Sequence, residues 1–195
     1  MVWVLMLVGA AALVVFVERL LIFHREQINS AEFLNGVRNV LKRDNIVEAV
    51  SICDATPGPV ARLVKTAILN RDKGRERIQA VLEETGAVEV PRLEEKLSIL
   101  ATVAQIAPLI GLLGTVLAML GLFSVMRSQG MAIHPLDFAK DIYGGLCSTA
   151  LGLAVAIINF AAHNYLVRRV DAIVLDMQKA AAEILHVLGE NGRQP

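Results

Sequence analysis

The most constraining feature of this chain is a proline, two glycines and a threonine inside a long apolar run without charge. The segment reads Ala107-Pro-Leu-Ile-Gly-Leu-Leu-Gly-Thr-Val116. In a soluble helix, proline removes a backbone donor and glycine costs about 1 kcal/mol relative to alanine. In a lipid bilayer both residues are common, because neighbouring helices satisfy the backbone and small residues let helices approach closely. The segment predicts a membrane helix packed tightly against other helices, with one threonine hydroxyl at mid-depth.

Apolar residues make up 55% of the 195 residues and are concentrated in three nearly charge-free stretches. Each stretch exceeds the roughly 20 residues that a helix needs to cross a bilayer. The first has no basic residue ahead of its apolar region, which favours a retained span over a cleaved signal peptide. The sequence therefore predicts an all-α membrane protein with three transmembrane helices, at residues 1–23, 97–126 and 138–167.

The distribution of Lys and Arg predicts how these helices are oriented. Residues 24–96 contain twelve, the short connection 127–137 and the start of the third span contain two, and residues 168–195 contain four. By the positive-inside rule, the N-terminus and residues 127–137 are periplasmic, whereas residues 24–96 and 168–195 are cytoplasmic.

The cytoplasmic residues have helical spacing of apolar side chains, which predicts long helical extensions. Ser30 and Asn45 are suited to cap two helices, and Pro57-Gly-Pro59 marks a break. After residue 75 the candidate breaker is Pro91, which is expected to kink the helix rather than end it, so one helix is predicted over residues 75–126. The third span is expected to continue inward as an amphipathic tail. Because neither extension buries its apolar face alone, an oligomer is expected.

The sequence has no signature of catalysis, metal binding or nucleic-acid binding, which favours a protein that is not an enzyme and has no cofactor. Cys53 and Cys147 fall in different compartments, so no disulfide is predicted. The distinctive pattern is instead two stripes of small residues, which are typical packing faces of membrane helices. The second span carries Gly114, Ala118 and Gly121, and the third carries Gly145, Thr149, Gly152 and Ala156.

Thr115 lies beside the first stripe and Thr149 within the second. Their hydroxyls either bond to carbonyls one turn earlier and merely bend the helix, or line a narrow polar path. The central parts of both spans have no charged residue, so a partner would have to supply any titrating acid in such a path.

Charged residues occur at the ends of the spans. Asp137 is expected to cap the third span, with Asp141 one turn further in, and both are alternatively proton collectors at the outer mouth. Glu18 and Arg19 lie at the inner end of the first span and are expected to snorkel to the interface. Glu18 could instead pair with a basic residue of a neighbour.

The segment from Ala107 to Val116 resembles the second-span signature of the MotA/TolQ/ExbB proton-channel family. Thr149-Ala-Leu-Gly-Leu-Ala-Val-Ala156 is similar to the third-span signature of the same family, and Asn164-Tyr165 follows near the inner end. The Glu18-Arg19 pair and Pro57-Gly-Pro59 also fall where this family places comparable features. Because it has three predicted spans rather than four, the chain resembles the ExbB/TolQ branch of the family.

This resemblance implies a homopentamer around a pair of single-span ExbD/TolR-type helices in the bacterial inner membrane. The partner's aspartate would carry the proton, and Thr115 and Thr149 would line its path. Small residues would pack the helices at the pore: Pro108, Gly111, Gly114, Ala118, Gly145, Gly152 and Ala156. Proton flow would then drive a periplasm-spanning TonB/TolA-like protein.

The sequence departs from the resemblance at one position. Several family members carry a glutamate five residues before the third-span threonine, where this chain has Gly144. Threonines, water, the partner or Asp141 would have to serve in its place.

The alternative function is a passive oligomeric membrane scaffold that docks a cytoplasmic partner.

Overall fold

The computed structural model describes residues 2–26, 30–129 and 135–191, and the side chains of residues 2–23, 30–127 and 139–189. These residues form helices and contain no strand. The α-helices are α1 (Val2–Glu26), α2 (Ser30–Leu41), α3 (Ile46–Ala55), α4 (Pro59–Leu69), α5 (Arg75–Glu94), α6 (Leu97–Gln129) and α7 (Pro135–Asn191), with a short 3₁₀ helix at Arg71–Lys73.

Three of these helices are long and apolar enough to cross a membrane. The qualifying segments are Val2–Phe23 in α1, Leu97–Arg127 in α6 and Ala139–Gly189 in α7. The last is longer than the predicted span, because α7 continues without interruption into the amphipathic tail, as expected from its apolar spacing.

The chain divides into two compact units. Unit 1 contains Met1–Arg19 and Lys96–Leu166, and unit 2 contains Leu20–Glu95 and Val167–Pro195. Unit 1 thus holds most of the apolar segments, and unit 2 holds most of the charged ones.

Unit 1 is built from α1, α6 and the first part of α7. Leu5 of α1, Ala107 of α6 and Ala156 of α7 are buried together, and Gly9 of α1 faces Val155. Most other large side chains of this unit are exposed apolar groups, such as Leu109 and Ile157. This pattern, small residues inside and large apolar residues outside, is the one expected of helices that pack in lipid.

The predicted continuous helix over residues 75–126 is wrong, because the structure breaks it between α5 and α6. Pro91 lies inside α5 and does not end it. The helix ends at Glu94, Glu95 is its C-cap, and Lys96 adopts a left-handed backbone with φ of 65°. Such a conformation costs a non-glycine residue roughly 1–2 kcal/mol, so it needs support from elsewhere in the fold. Local sequence gives no breaker at this point.

Unit 2 is a bundle of α2 to α5 with the second part of α7. Its buried apolar side chains come from all of these helices, and include Val37, Ala49, Val64, Ile68, Leu82, Ile173, Met177 and Ile184. Glu89 of α5 is also buried, and its carboxylate accepts two hydrogen bonds from the Arg62 guanidinium of α4, at 3.0 and 2.7 Å. A buried carboxylate needs such a partner.

Two of the predicted helix caps are wrong and one is confirmed. Asn45 caps α3, and its Oδ1 accepts from the backbone N–H of Glu48. Ser30 is already inside α2, and its hydroxyl donates instead to Asp176 of α7 at 3.1 Å. Asp137 does not cap α7, because the helix already begins at Pro135. Proline suits a first helical position, where its fixed φ is helical and no N–H bond is lost.

Both cysteines are free thiols. Cys53 lies in the core of unit 2, where burial raises the pKa of its thiol to about 11. Since only the thiolate reacts readily, we expect Cys53 to resist maleimide labelling of the folded protein at pH 7 to 8. A Cys147→Ala background isolates its signal, and full labelling in denaturant is the control. Rapid labelling of the folded protein would contradict the buried position.

Candidate functional site

The closest approach in unit 1 is between the backbones of α6 and α7. An added Cβ on Gly152 would lie 2.7 Å from Ala107 O and 3.0 Å from Gly111 Cα. An added Cβ on Gly111 would lie 3.0 Å from Ser148 O. Real side chains do not fit at such distances, so only glycine permits this crossing. The helices are antiparallel here, because contact positions rise along α6 as they fall along α7.

The same face continues one turn toward the predicted outer side. Gly145 of α7 packs on Thr115 and Ala118 of α6, with an added Cβ only 3.2 Å from Thr115 Cα and 3.1 Å from Ala118 Cβ. We call the surface formed by Ala107, Gly111, Thr115, Ala118, Gly145, Ser148, Thr149 and Gly152 the small-residue face. It places both predicted threonines at one helix contact.

The predicted stripes agree only partly with this face. Gly145, Thr149 and Gly152 of α7 lie on it, and Ala156 is buried against Leu5 and Ala107 just beyond it. On α6, Ala118 lies on this face and Gly114 is buried, but Gly121 is exposed, with no described atom within 4 Å of an added Cβ. Pro108 is half-buried inside α6. Several small residues of α6 fit more than one helical face, which explains the misassigned register.

The two threonine hydroxyls make different hydrogen bonds. Thr115 Oγ1 donates to Leu112 O of its own helix at 2.6 Å, as in the first of the two alternatives. Thr149 Oγ1 donates across the contact to Gly111 O of α6 at 3.1 Å. Both side chains are half-buried. Thr149 therefore forms a hydrogen bond between the two helices, which neither alternative predicted.

Sequence reasoning missed two buried polar residues of α7. Ser148 is only 3% exposed, and its hydroxyl has no hydrogen-bond partner among the described residues. Asn159 is buried, and its amide donates to Val155 O of the same helix. A polar residue within an uncharged apolar span was the available signal for both.

The end of unit 1 that is predicted to lie on the cytoplasmic side is held by polar contacts to the start of α6. Glu18 Oε1 of α1 pairs with Lys96 Nζ at 2.6 Å, so its partner belongs to the same chain. His163 Nδ1 of α7 donates to Leu97 O at 3.2 Å. Arg19, which is predicted to snorkel to the interface, is only 7% exposed.

The two acids that are predicted at the outer mouth are less constrained. Asp141 is exposed, and the side chain of Asp137 lies outside the described residues. Gly144, where the resemblance expects a glutamate, is exposed, with no described atom within 4 Å of an added Cβ. No group of three or more His, Cys, Asp or Glu side chains that could hold a metal occurs among the residues that the structure describes.

Gly152→Ala tests the close contact. Its methyl group would press on Ala107 O, and overpacking of this kind costs about 1–3 kcal/mol of unfolding free energy. The variant should unfold at a lower temperature in detergent, whereas Gly144→Ala, which adds a methyl group in open space, should not. Equal melting temperatures for Gly152→Ala and the parent would disprove the contact.

Glu18 and Lys96 can be tested by exchanging their charges. Glu18→Lys puts two cations together and should lower the melting temperature, because a paired charge is replaced by a repulsive one. The double variant Glu18→Lys, Lys96→Glu should recover most of the loss. Thermal unfolding of the parent, the two single variants Glu18→Lys and Lys96→Glu, and the double variant in lipid nanodiscs measures the coupling, which is small for exposed pairs. A double variant no more stable than Glu18→Lys would refute the pair.

Comparisons with known proteins show which family this chain is similar to. A sequence model of the MotA/TolQ/ExbB proton channel family matches residues 55–179. The chain is 30% identical over 186 residues to the biopolymer transport protein ExbB of Neisseria gonorrhoeae, covering 88% of this chain and 82% of that protein.

Two other relatives match shorter segments. ExbB of Aquifex aeolicus is 40% identical over 91 residues, 47% of this chain and 61% of that protein. The Tol-Pal system protein TolQ of Haemophilus influenzae is 36% identical over 100 residues, 51% of this chain and 43% of that protein. The chain thus spans about half the length of several curated relatives that it matches.

The matched family region contains α4, α5, α6 and α7 as far as residue 179. With three apolar helices, the chain is a multi-pass membrane protein. It belongs to the MotA/TolQ/ExbB proton channel family, in the ExbB/TolQ branch.

Proposed function

We propose that this chain is the stator subunit of a proton-driven motor in the bacterial inner membrane. With an ExbD/TolR-type single-span partner, it would couple the proton-motive force to work on a TonB/TolA-like protein. The observation that carries the proposal is the small-residue face, which brings Thr115 and Thr149 together in spans that have no charged side chain between residues 97 and 126 or between 142 and 162.

The two hydroxyls would form part of the proton path. A hydroxyl that donates to a carbonyl keeps its lone pairs and can accept a hydrogen bond from water. Thr115 and Thr149 are half-buried, so each retains an accessible side. The titrating acid would come from the partner, since neither span supplies one.

The assembly is proposed to be a pentamer around two partner helices. In the single chain, only 17%, 17% and 28% of the most apolar windows of the three spans are buried. Their remaining surface would face lipid, other subunits and the partner. The resemblance supplies the number of subunits.

Orientation follows from the Lys and Arg distribution. The N-terminus would be periplasmic, and residues 24–96 and 168–195, with the C-terminus, would be cytoplasmic. Glu18 and Lys96 would then mark the inner interface. Asp137 and Asp141 would mark the outer mouth, and Asp141 would serve in place of the glutamate absent at Gly144.

The energy for this work would come from proton entry. One charge crossing a potential of 100 mV releases about 2.3 kcal/mol. Protonation of the partner's aspartate would remove the charge that opposes its movement past an apolar wall. The chain itself would perform no covalent chemistry.

Proton flux into liposomes tests this proposal. The chain is reconstituted with a candidate single-span partner, and flux is measured under an imposed potential. Flux that requires the partner and disappears when its aspartate becomes asparagine supports the motor. A verified complex that passes no protons, with or without a TonB/TolA-like protein, would favour the passive scaffold instead.

Thr115→Val tests the role of the hydroxyl. The substitution keeps the shape of the side chain and should lower flux at least tenfold without disturbing assembly, because it removes one polar group from the proposed path. Thr102→Val is the matched control, since its hydroxyl also bonds to its own helix, at Ser98 O, and lies nearer the inner end of α6. Undiminished flux from an assembled Thr115→Val complex would exclude Thr115 from the path.

A further inference from the structure

Ser148 lies on the side of α7 that faces α6. It is three residues after Gly145 and four before Gly152, and residues at these spacings share one side of a helix. Both glycines contact α6 backbone. Ser148 is 3% exposed, and its Oγ has no partner among the described residues. The structure therefore places a spare donor in the small-residue face.

The neighbouring donor is already in use. Thr149 Oγ1 donates to Gly111 O at 3.1 Å. An added Cβ on Gly111 would lie 3.0 Å from Ser148 O and 3.1 Å from Thr149 Cα, so both residues flank this glycine. A carbonyl oxygen has two lone pairs, and the backbone bond within α6 uses one of them. Only one position remains for a side-chain donor.

A buried hydroxyl without a partner is unfavourable, and Ser148 therefore calls for a physical explanation. In a contact this close there is little space for a water molecule, which would itself need two or more polar partners. The explanation that the neighbouring atoms offer is a second arrangement, in which Ser148 donates and Thr149 does not.

We infer that Ser148 and Thr149 exchange as donors to Gly111 O. When Thr149 turns its hydroxyl toward the proton path, Ser148 takes over the carbonyl and keeps α6 and α7 together. Ser148 is thus a positioning residue, which lets the Thr149 hydroxyl alternate between the hydrogen bond to Gly111 O and the proton path. The part concerning the path rests on the proposed function, and the exchange of donors does not.

A double-mutant cycle in stability tests the exchange. Ser148→Ala removes the spare donor, and Thr149→Val removes the present one while keeping the shape of the side chain. Each single variant should melt within about 1 °C of the parent, because the other residue satisfies Gly111 O. The double variant should melt roughly 2–4 °C lower, as expected for loss of one interhelical hydrogen bond in a chain of this size.

The control pair is Ser148→Ala with Thr102→Val, whose effects should add, because Thr102 bonds only to its own helix. Additive effects of Ser148→Ala and Thr149→Val would overturn the inference. If either single variant alone lost as much stability as the double variant, the inference would also be overturned, because one residue alone would then hold the contact.

Proton flux gives the second readout. Ser148→Ala should lower flux roughly threefold or more at unchanged melting temperature, because Thr149 can no longer leave Gly111 O without exposing it. Unchanged flux in this variant would overturn the link to the path. A parent complex that conducts no protons would count against the proposed function, whereas the stability cycle would still decide the exchange.

Discussion

The close approach of α6 and α7 at Gly111 and Gly152 is the constraint on which unit 1 depends. In lipid, apolar side chains gain little by leaving the tails for each other, so helices associate through close packing and polar contacts. A distance of 2.7 Å between Ala107 O and a Cβ built on Gly152 leaves no room for a side chain. The hydrogen bond from Thr149 to Gly111 O is possible only because the backbones are this close.

A second constraint lies where α1, α6 and α7 meet at the start of α6. Lys96 holds a left-handed backbone between α5 and α6, and its ammonium group pairs with Glu18. Because Leu97 O accepts from His163, the first turn of α6 is tied to both other spans. Contacts between residues far apart in sequence therefore fix where this membrane helix begins.

The polar groups of the small-residue face connect packing with the proposed function. Thr115 bonds within α6, Thr149 bonds from α7 to α6, and Ser148 holds a buried donor without a described acceptor. The three hydroxyls thus lie at one helix contact but differ in their hydrogen bonds. A face that is tightly packed and still has alternative hydrogen bonds is suited to a site that must change state without coming apart.

The sequence by itself determined the helical class, the three apolar helices, the family and the continuation of α7, because these follow from composition, periodicity and local signatures. It also determined the cap at Asn45, where donor and acceptor are three residues apart. Only the tertiary structure decided which small residues of α6 meet α7, since several satisfy the same spacing and packing selects among them. The same holds for three hydrogen-bonded pairs. Glu18 pairs with Lys96 at the break between α5 and α6, Ser30 donates to Asp176, and Thr149 donates to Gly111 O. The two residues of each pair are 38 to 146 positions apart in the sequence. Local patterns carry no information about such pairs, because folding alone brings them together.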